Sequence, residues 1–169
     1  MDLIQNKVAE SGIQVVDLEQ FLPDMPVSGI DLADYMVGGF VLREKDFRAQ
    51  LKEMDWNQFE GHHVGVFCST DAIVPTWAFM LVASYLDGIA ASVTSSTVEA
   101  ISEQLLLDRI GAADWSAYED QIVVLKGCGS DKVTPSAYIQ ATSALQRVSR
   151  KLMYGEPCSS VPIWRRPKA

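Results

Sequence analysis

The chain has 169 residues, 48% hydrophobic and 21% charged, a composition that excludes a wholly disordered polymer and is enough for one domain with a substantial core. Its 14 Lys and Arg against 22 Asp and Glu give a net charge of −8, which argues against a nucleic-acid partner, since that needs clustered cations facing phosphate. The acidic balance keeps the chain soluble and repels polyanions.

In chain order, Met1-Asp2-Leu3-Ile4-Gln5-Asn6 shows no positive region followed by an apolar stretch, so no signal peptide is expected. Residues 11–18 alternate imperfectly and predict a strand. Residues 24–29, beside Pro23 and Pro26, read as a loop. Over residues 43–53, Phe47 and Leu51, with Met54 following, have helical spacing, and charges fill the other face. Three apolar runs, 63–68, 89–93 and 121–126, read as buried strands. Helices are predicted between and after them. The first ends near Leu86 with Pro75 in its first turn. The second covers 97–110, capped by Thr97, with Glu99 and Glu103 early and Val98, Ile101, Leu105 and Leu106 on its apolar face. The third runs from Pro135 to about Met153, with Ile139, Leu145 and Val148 inward. Asp55-Trp56-Asn57 and Asp114-Trp115-Ser116 each read as a short capped turn that packs an aromatic ring. No internal repeat or low-complexity segment appears.

The charge-free run 72–86 contains Pro75, Thr76 and Ser84 and falls short of the ~20 residues of a membrane span, so it reads as a buried helix, rich in core residues such as Trp77, Phe79, Met80, Leu81 and Tyr85. No membrane partner is expected. Alternating strands and helices predict an α/β fold: a single domain over residues 1–169, with a mostly parallel sheet, crossover helices and one or two further strands before Arg43. Residues 158–169 read as an extended tail whose Arg165, Arg166 and Lys168 are solvated.

The candidate functional residues are the three cysteines. A cytoplasmic chain keeps its thiols reduced, where cysteines more often bind metal or catalyse than form structural disulfides, and an odd number strands one thiol in any pairing. Cys68 ends one predicted strand and Cys128 follows another, so parallel strands would bring both to one carboxyl edge, where open α/β sheets bind ligands. Gly127 and Gly129 flank Cys128 and permit close approach. The loop after Cys68 leads into a helix N-terminus, whose field favours a thiolate. Cys158 lies in the turn-rich segment Tyr154-Gly155-Glu156-Pro157-Cys158-Ser159, and an extended stretch would have to return it to that edge. Three thiolates would leave zinc or an iron–sulfur cluster one ligand short, with Asp71 or Glu156 as the nearest fourth. No CxxC pair occurs, and on spacing alone buried, inert cysteines are the plainer reading.

His62 and His63, the only histidines, begin the strand that Cys68 ends, roughly 20 Å away at ~3.3 Å per residue. A Cys–His dyad is therefore not expected, and both read as an exposed strand start. No GxGxxG, Walker loop, GxSxG or HExxH is present.

The blocks Arg43-Glu44-Lys45-Asp46-Phe47-Arg48, Cys68-Ser69-Thr70-Asp71-Ala72-Ile73-Val74-Pro75-Thr76-Trp77-Ala78, Lys126-Gly127-Cys128-Gly129 and Tyr154-Gly155-Glu156-Pro157-Cys158-Ser159 together resemble the DUF2480 family of uncharacterised bacterial proteins, over nearly the whole chain. The resemblance implies no established activity. It implies cysteines placed in the same three blocks, which strengthens the metal reading, and the genomic company of iron–sulfur cluster assembly proteins.

Three functions follow as expectations. The first is a zinc, iron or iron–sulfur protein using Cys68, Cys128 and Cys158 with Asp71 or Glu156, working with a protein partner in metal or sulfur handling. The second is a thiol enzyme or sulfur carrier using Cys68. The third is a non-catalytic module that docks a partner through an exposed Trp164 and the basic tail. The sequence leaves the oligomeric state open, a homo-oligomer included.

Overall fold

The computed structural model describes residues 12–127 and 129–167. Seven strands are present among the described residues: β1 (Ile13–Asp17), β2 (Val27–Asp31), β3 (His63–Phe67), β4 (Ser92–Thr94), β5 (Ile122–Lys126), β6 (Lys151–Glu156) and β7 (Ser159–Arg165). Four α-helices are described: α1 (Glu44–Glu53), α2 (Thr76–Leu86), α3 (Val98–Ala112) and α4 (Pro135–Val148). The α/β class and the mostly parallel pairing stand, but the strands form two sheets rather than one, in the orders β1-β5-β6-β7 and β2-β3-β4. All pairings are parallel except β6 with β7. The chain divides into two units, Pro23–Ser102 and Met1–Leu22 with Glu103–Ala169.

In the Pro23–Ser102 unit, β3 is the central strand, and Val64, Gly65 and Val66 are buried because the sheet is covered on both faces. One face packs Ile30, Val64 and Val66 against Phe47 and Leu51 of α1 and Ala78, Val82 and Leu86 of α2. The buried stripe of α2 is thus narrower than its composition suggests: Trp77, Phe79, Leu81 and Tyr85 are half-buried, and Met80 is 67% exposed. On the opposite face a Cβ at Gly65 would lie 2.3 Å from the Ser96 carbonyl oxygen and 2.9 Å from Ile101 Cδ1. Only glycine lets the chain entering α3 lie this close to the sheet.

The other unit has β5 at its centre, with Val123, Val124 and Leu125 buried. Its core joins Val16 and Leu18 to Leu106 and Ile110 of α3, Ala137, Ala141 and Leu145 of α4, and Leu152 of β6. The helix expected to reach Met153 ends at Val148, and β6 begins at Lys151. Within it Ile139 is exposed, because the inward stripe is Ala137, Ala141 and Leu145. From Ser159 to Arg165 the expected extended tail is β7, hydrogen-bonded antiparallel to β6. Trp164, expected to be exposed, is half-buried against this core. Arg166 is exposed, as expected, and donates to the Val148 carbonyl at 2.6 Å and to Asp120 at 3.4 Å.

The two units repeat one construction, which corrects the expectation of no internal repeat. From Phe47 to Thr94, most elements recur 59 positions later in the other unit, although α4 runs three residues beyond the match of Leu86, where α2 ends. Phe47 and Leu51 match Leu106 and Ile110, and Ala78, Val82 and Leu86 match Ala137, Ala141 and Leu145. The Trp56 indole N–H donates to the Leu51 carbonyl at 2.9 Å, and that of Trp115 to Ile110 at 3.2 Å. Asp55 and Asp114 each accept from the backbone two residues on. His63 pairs with Ser92 in the register in which Ile122 pairs with Lys151. Even the backbone agrees: Gly61 has φ +71°, and its counterpart Asp120, with φ +54°, is the one described non-glycine residue at positive φ. The first strands correspond as well, since Asp17 and Asp31 end β1 and β2, pair with Lys126 and Phe67, and precede a buried leucine in a 3-10 turn.

Replacing Gly65 by Ala forces a methyl group against the Ser96 carbonyl and is expected to destabilise the protein by about 2–3 kcal/mol. Urea unfolding measures this; a loss below about 0.5 kcal/mol, the size of a neutral surface change, would contradict the packing described.

Candidate functional site

Parallel pairing sends the chain out of every sheet at its carboxyl edge, so the residues just after β3 and β5 are the natural ligand positions. In the three-stranded sheet this edge carries Cys68, directly after β3. Its side chain is half-buried against the core of its unit, and its sulfur lies 3.3 Å from Thr70 Oγ1. The loop is anchored by Asp31, whose Oδ1 accepts from the Ser69 N–H at 3.0 Å and from the Ala33 N–H at 2.9 Å. Partial burial pushes the Asp31 carboxyl up, but hydrogen bonds from the Ser69 hydroxyl and from the Ala33 and Ser69 amides outweigh it and hold the group below its ordinary range. Asp71 is exposed three residues beyond Cys68.

In the four-stranded sheet the same edge carries Asp17, Lys126 and Glu156, the last residues of β1, β5 and β6. Lys126 Nζ is 3.2 Å from Asp17 Oδ2 and 4.0 Å from Glu156 Oε1. The hydrogen bond to Asp17 and its charge, then the charges of Glu156 and Glu19, hold the Lys126 ammonium above its ordinary range. β6 runs parallel to β5, so the β6–β7 turn brings Cys158 to this edge as an exposed thiol. Cys128, two positions beyond the end of β5, lies outside the described residues. The glycines on either side of it are closely packed: a Cβ at Gly127 would lie 3.0 Å from Tyr138 Oη, and one at Gly129 2.7 Å from Glu19 Oε1.

One sheet edge shared by Cys68 and Cys128 is therefore not what forms, because β3 and β5 are the central strands of different sheets. Burial patterns identify strands but not their partners. Among the described residues no three His, Cys, Asp or Glu side chains are gathered into a metal-sized group. The histidines also differ from expectation. Both are half-buried, with His62 Nδ1 2.7 Å from Ser28 Oγ and His63 Nδ1 2.7 Å from Ser92 Oγ, so they tie β3 to β2 and β4 at the amino edge.

Sequence reading missed Asp31, Asp17 and Lys126. The available signal is an Asp-Leu step after an alternating run, at Asp17-Leu18 and again at Asp31-Leu32.

These features define an α/β protein of two parallel-stranded units, with thiols and carboxylates at the carboxyl edges. The chain matches the family model described as "Protein of unknown function (DUF2480)" over residues 2–166, and it belongs to that family. No curated protein and no solved structure matches it. No helix among the described residues is long and apolar enough to cross a membrane.

Removing both acceptor oxygens in Asp31→Ala leaves the Ser69 and Ala33 amides without this partner and should cost about 1–2 kcal/mol, whereas Asp31→Asn keeps an acceptor and costs less. Because the folded Asp31 pKa is depressed, the carboxylate's contribution is complete above the unfolded value of about 3.9 and is lost as pH falls through the lower folded value. The stability gap between wild type and Asp31→Asn should be flat at neutral pH and close in acid; a gap that widens in acid would contradict this.

Proposed function

We propose that the protein acts in the reducing cytoplasm as a thiolate-based metal- or iron–sulfur-binding protein, with Cys128, Cys158 and Glu156 supplying ligands at the carboxyl edge of the four-stranded sheet. The observation that carries this reading is the β6–β7 hairpin, which returns Cys158 to the edge at which β5 ends. Glu156 stands on the same edge, and two thiolates with a carboxylate suit zinc or iron. Cys68 and Asp71 belong to the corresponding edge of the other unit, and the 59-position correspondence matches Cys68 with Gly127 and Ser69 with Cys128 in sequence. Partners on this reading are proteins that deliver or receive metal or sulfur, in keeping with the iron–sulfur assembly association that the family resemblance implies.

Elemental analysis and absorption spectra of protein purified without air test the reading. Zinc or iron in near-stoichiometric amount is expected, and Cys128→Ala and Cys158→Ala should each lose most of it. Retention in Cys68→Ala is expected of a site built on the four-stranded sheet, and loss there would contradict it. Metal-free wild-type protein, or content unchanged in Cys128→Ala and Cys158→Ala, would sink the proposal.

The second reading, a thiol enzyme or sulfur carrier using Cys68, is favoured by the anchoring of its loop through Asp31 and by the Thr70 hydroxyl beside the sulfur. An activated Cys68 alkylates with iodoacetamide at neutral pH faster than a free thiol of pKa ~8.5. Equal rates would count against it.

A further inference from the structure

Between the 3-10 turn Leu32–Tyr35 and α1 the chain is uncharged from Tyr35 to Leu42, and much of this segment lies outside the core. Val37 and Val41 face each other as a single antiparallel bridge, with the Val37 N–H donating to the Val41 carbonyl at 2.9 Å. Gly38 and Gly39 turn the chain at φ +63° and +78°, the two successive positive values that a tight hairpin turn needs. Such tips are ordinarily polar. Here Phe40 is 78%, Val41 56% and Val37 42% exposed.

The helix that follows carries a concentration of cations. Arg43, Lys45, Arg48 and Lys52 are four of the chain's 14 Lys and Arg, within ten residues of one another. At 3.6 residues per turn, Lys45, Arg48 and Lys52 fall within about 60° of arc, while Asp46 and Glu53 take a neighbouring stripe. The three cations line an open trough of about 870 Å³ together with Tyr35, two positions before the hairpin, so hairpin and cations border one surface. Glu44 at 2.9 Å and the Trp77 ring, 5.8 Å away, hold the Arg48 guanidinium in place. Among the described residues Lys45 and Lys52 form no ion pair. The fold does not require these charges, because 59 positions later Lys45, Arg48 and Lys52 correspond to Gln104, Leu107 and Gly111.

From these two features we infer that this surface docks on an anionic lipid bilayer. Phe40, Val37 and Val41 enter the boundary between headgroups and acyl chains, and Lys45, Arg48 and Lys52 meet the lipid phosphates. Each feature asks for a different layer of the same partner: exposed apolar side chains gain by leaving water, and unpaired ammonium groups gain by facing negative charge. A protein partner would need an apolar pocket and an acidic face in matching positions, whereas a bilayer supplies both layers without a matching shape. The expectation of no membrane partner follows from the missing span, and attachment at a surface needs none. The net charge of −8 resides on the rest of the chain and is repelled by the same lipid, which selects the orientation with this surface downward. The inference concerns the Pro23–Ser102 unit and does not depend on metal binding by the other.

Flotation of the full chain with lipid vesicles at low salt tests it. Vesicles of equal parts phosphatidylglycerol and phosphatidylcholine are expected to carry the protein upward, and pure phosphatidylcholine vesicles to carry about fivefold less or lower. Phe40→Ser should weaken partition about fivefold, and the double variant Lys45→Glu/Lys52→Glu about tenfold or more, all three being exposed positions. Ile139→Ser, which removes an exposed apolar side chain from the other unit, should leave partition unchanged. Absence of flotation with the anionic vesicles overturns the inference, as does wild-type partition in both Phe40→Ser and the double variant or an equal loss in Ile139→Ser. Binding of soluble poly-glutamate that the double variant abolishes, without flotation, would assign the surface to an acidic protein and likewise overturn the lipid reading.

Discussion

Parallel pairing on both sides of a central strand is the constraint on which the rest of this structure depends. β3 and β5 each donate and accept along both edges, so neither can be left by a hairpin, and each must be followed by a helix that carries the chain back. Both strands are therefore buried in their middles, and both deliver their next residues at the carboxyl edge of their own sheet. Cys68 follows from that geometry in one unit, and Lys126 with the Gly127-Cys128-Gly129 segment in the other. The single antiparallel strand, β7, turns Cys158 back at the edge where β6 ends.

The construction is used twice. The indole of Trp56 or Trp115 caps the carbonyl five residues earlier, a strand-end aspartate holds the turn after the first strand, and an Ala-x-x-x-Ala/Val-x-x-x-Leu stripe seats the second helix. One copy is inserted within the other, between the turn after β1 and the helix α3. The copies diverge where chemistry would lie. Phe67 stands where the other unit has Lys126, and Ser69 stands where it has Cys128. Asp31 accordingly spends its carboxylate on the Ser69 loop, while Asp17 spends its own on Lys126. The two units share their packing and differ in the residues at their carboxyl edges.

Much of the fold was legible because buried parallel strands read as continuous apolar runs: 63–68 and 121–126 differ from β3 and β5 by a residue or so. The turns at Asp55 and Asp114 were legible too, since an aspartate two residues before an amide is a local signal. β6 was hidden because Leu152 and Met153 continue the helical spacing of α4, and only Ser149, a buried break, marks the change. β2 was hidden behind Pro23, Pro26 and Gly29, which read as loop. The repeat escaped because it conserves burial more than identity: Phe47 answers Leu106, and Gly65 answers Val124. Strand partnership escaped altogether, and with it the separation of Cys68 from β5, because periodicity describes one strand at a time. Asp31 and Lys126 look like ordinary charged residues in sequence, and their roles come from cross-strand register.

The functional account rests on sulfur at the carboxyl edge of the four-stranded sheet, where a hairpin and a central strand end side by side among fixed carboxylates. X-ray absorption at the zinc or iron edge of the anaerobically purified protein reads the ligand atoms themselves. The account predicts sulfur among the atoms bound to the metal, at about 2.3 Å for zinc, beside shorter oxygen distances. A first shell of only nitrogen and oxygen, at about 2.0–2.2 Å, would contradict it.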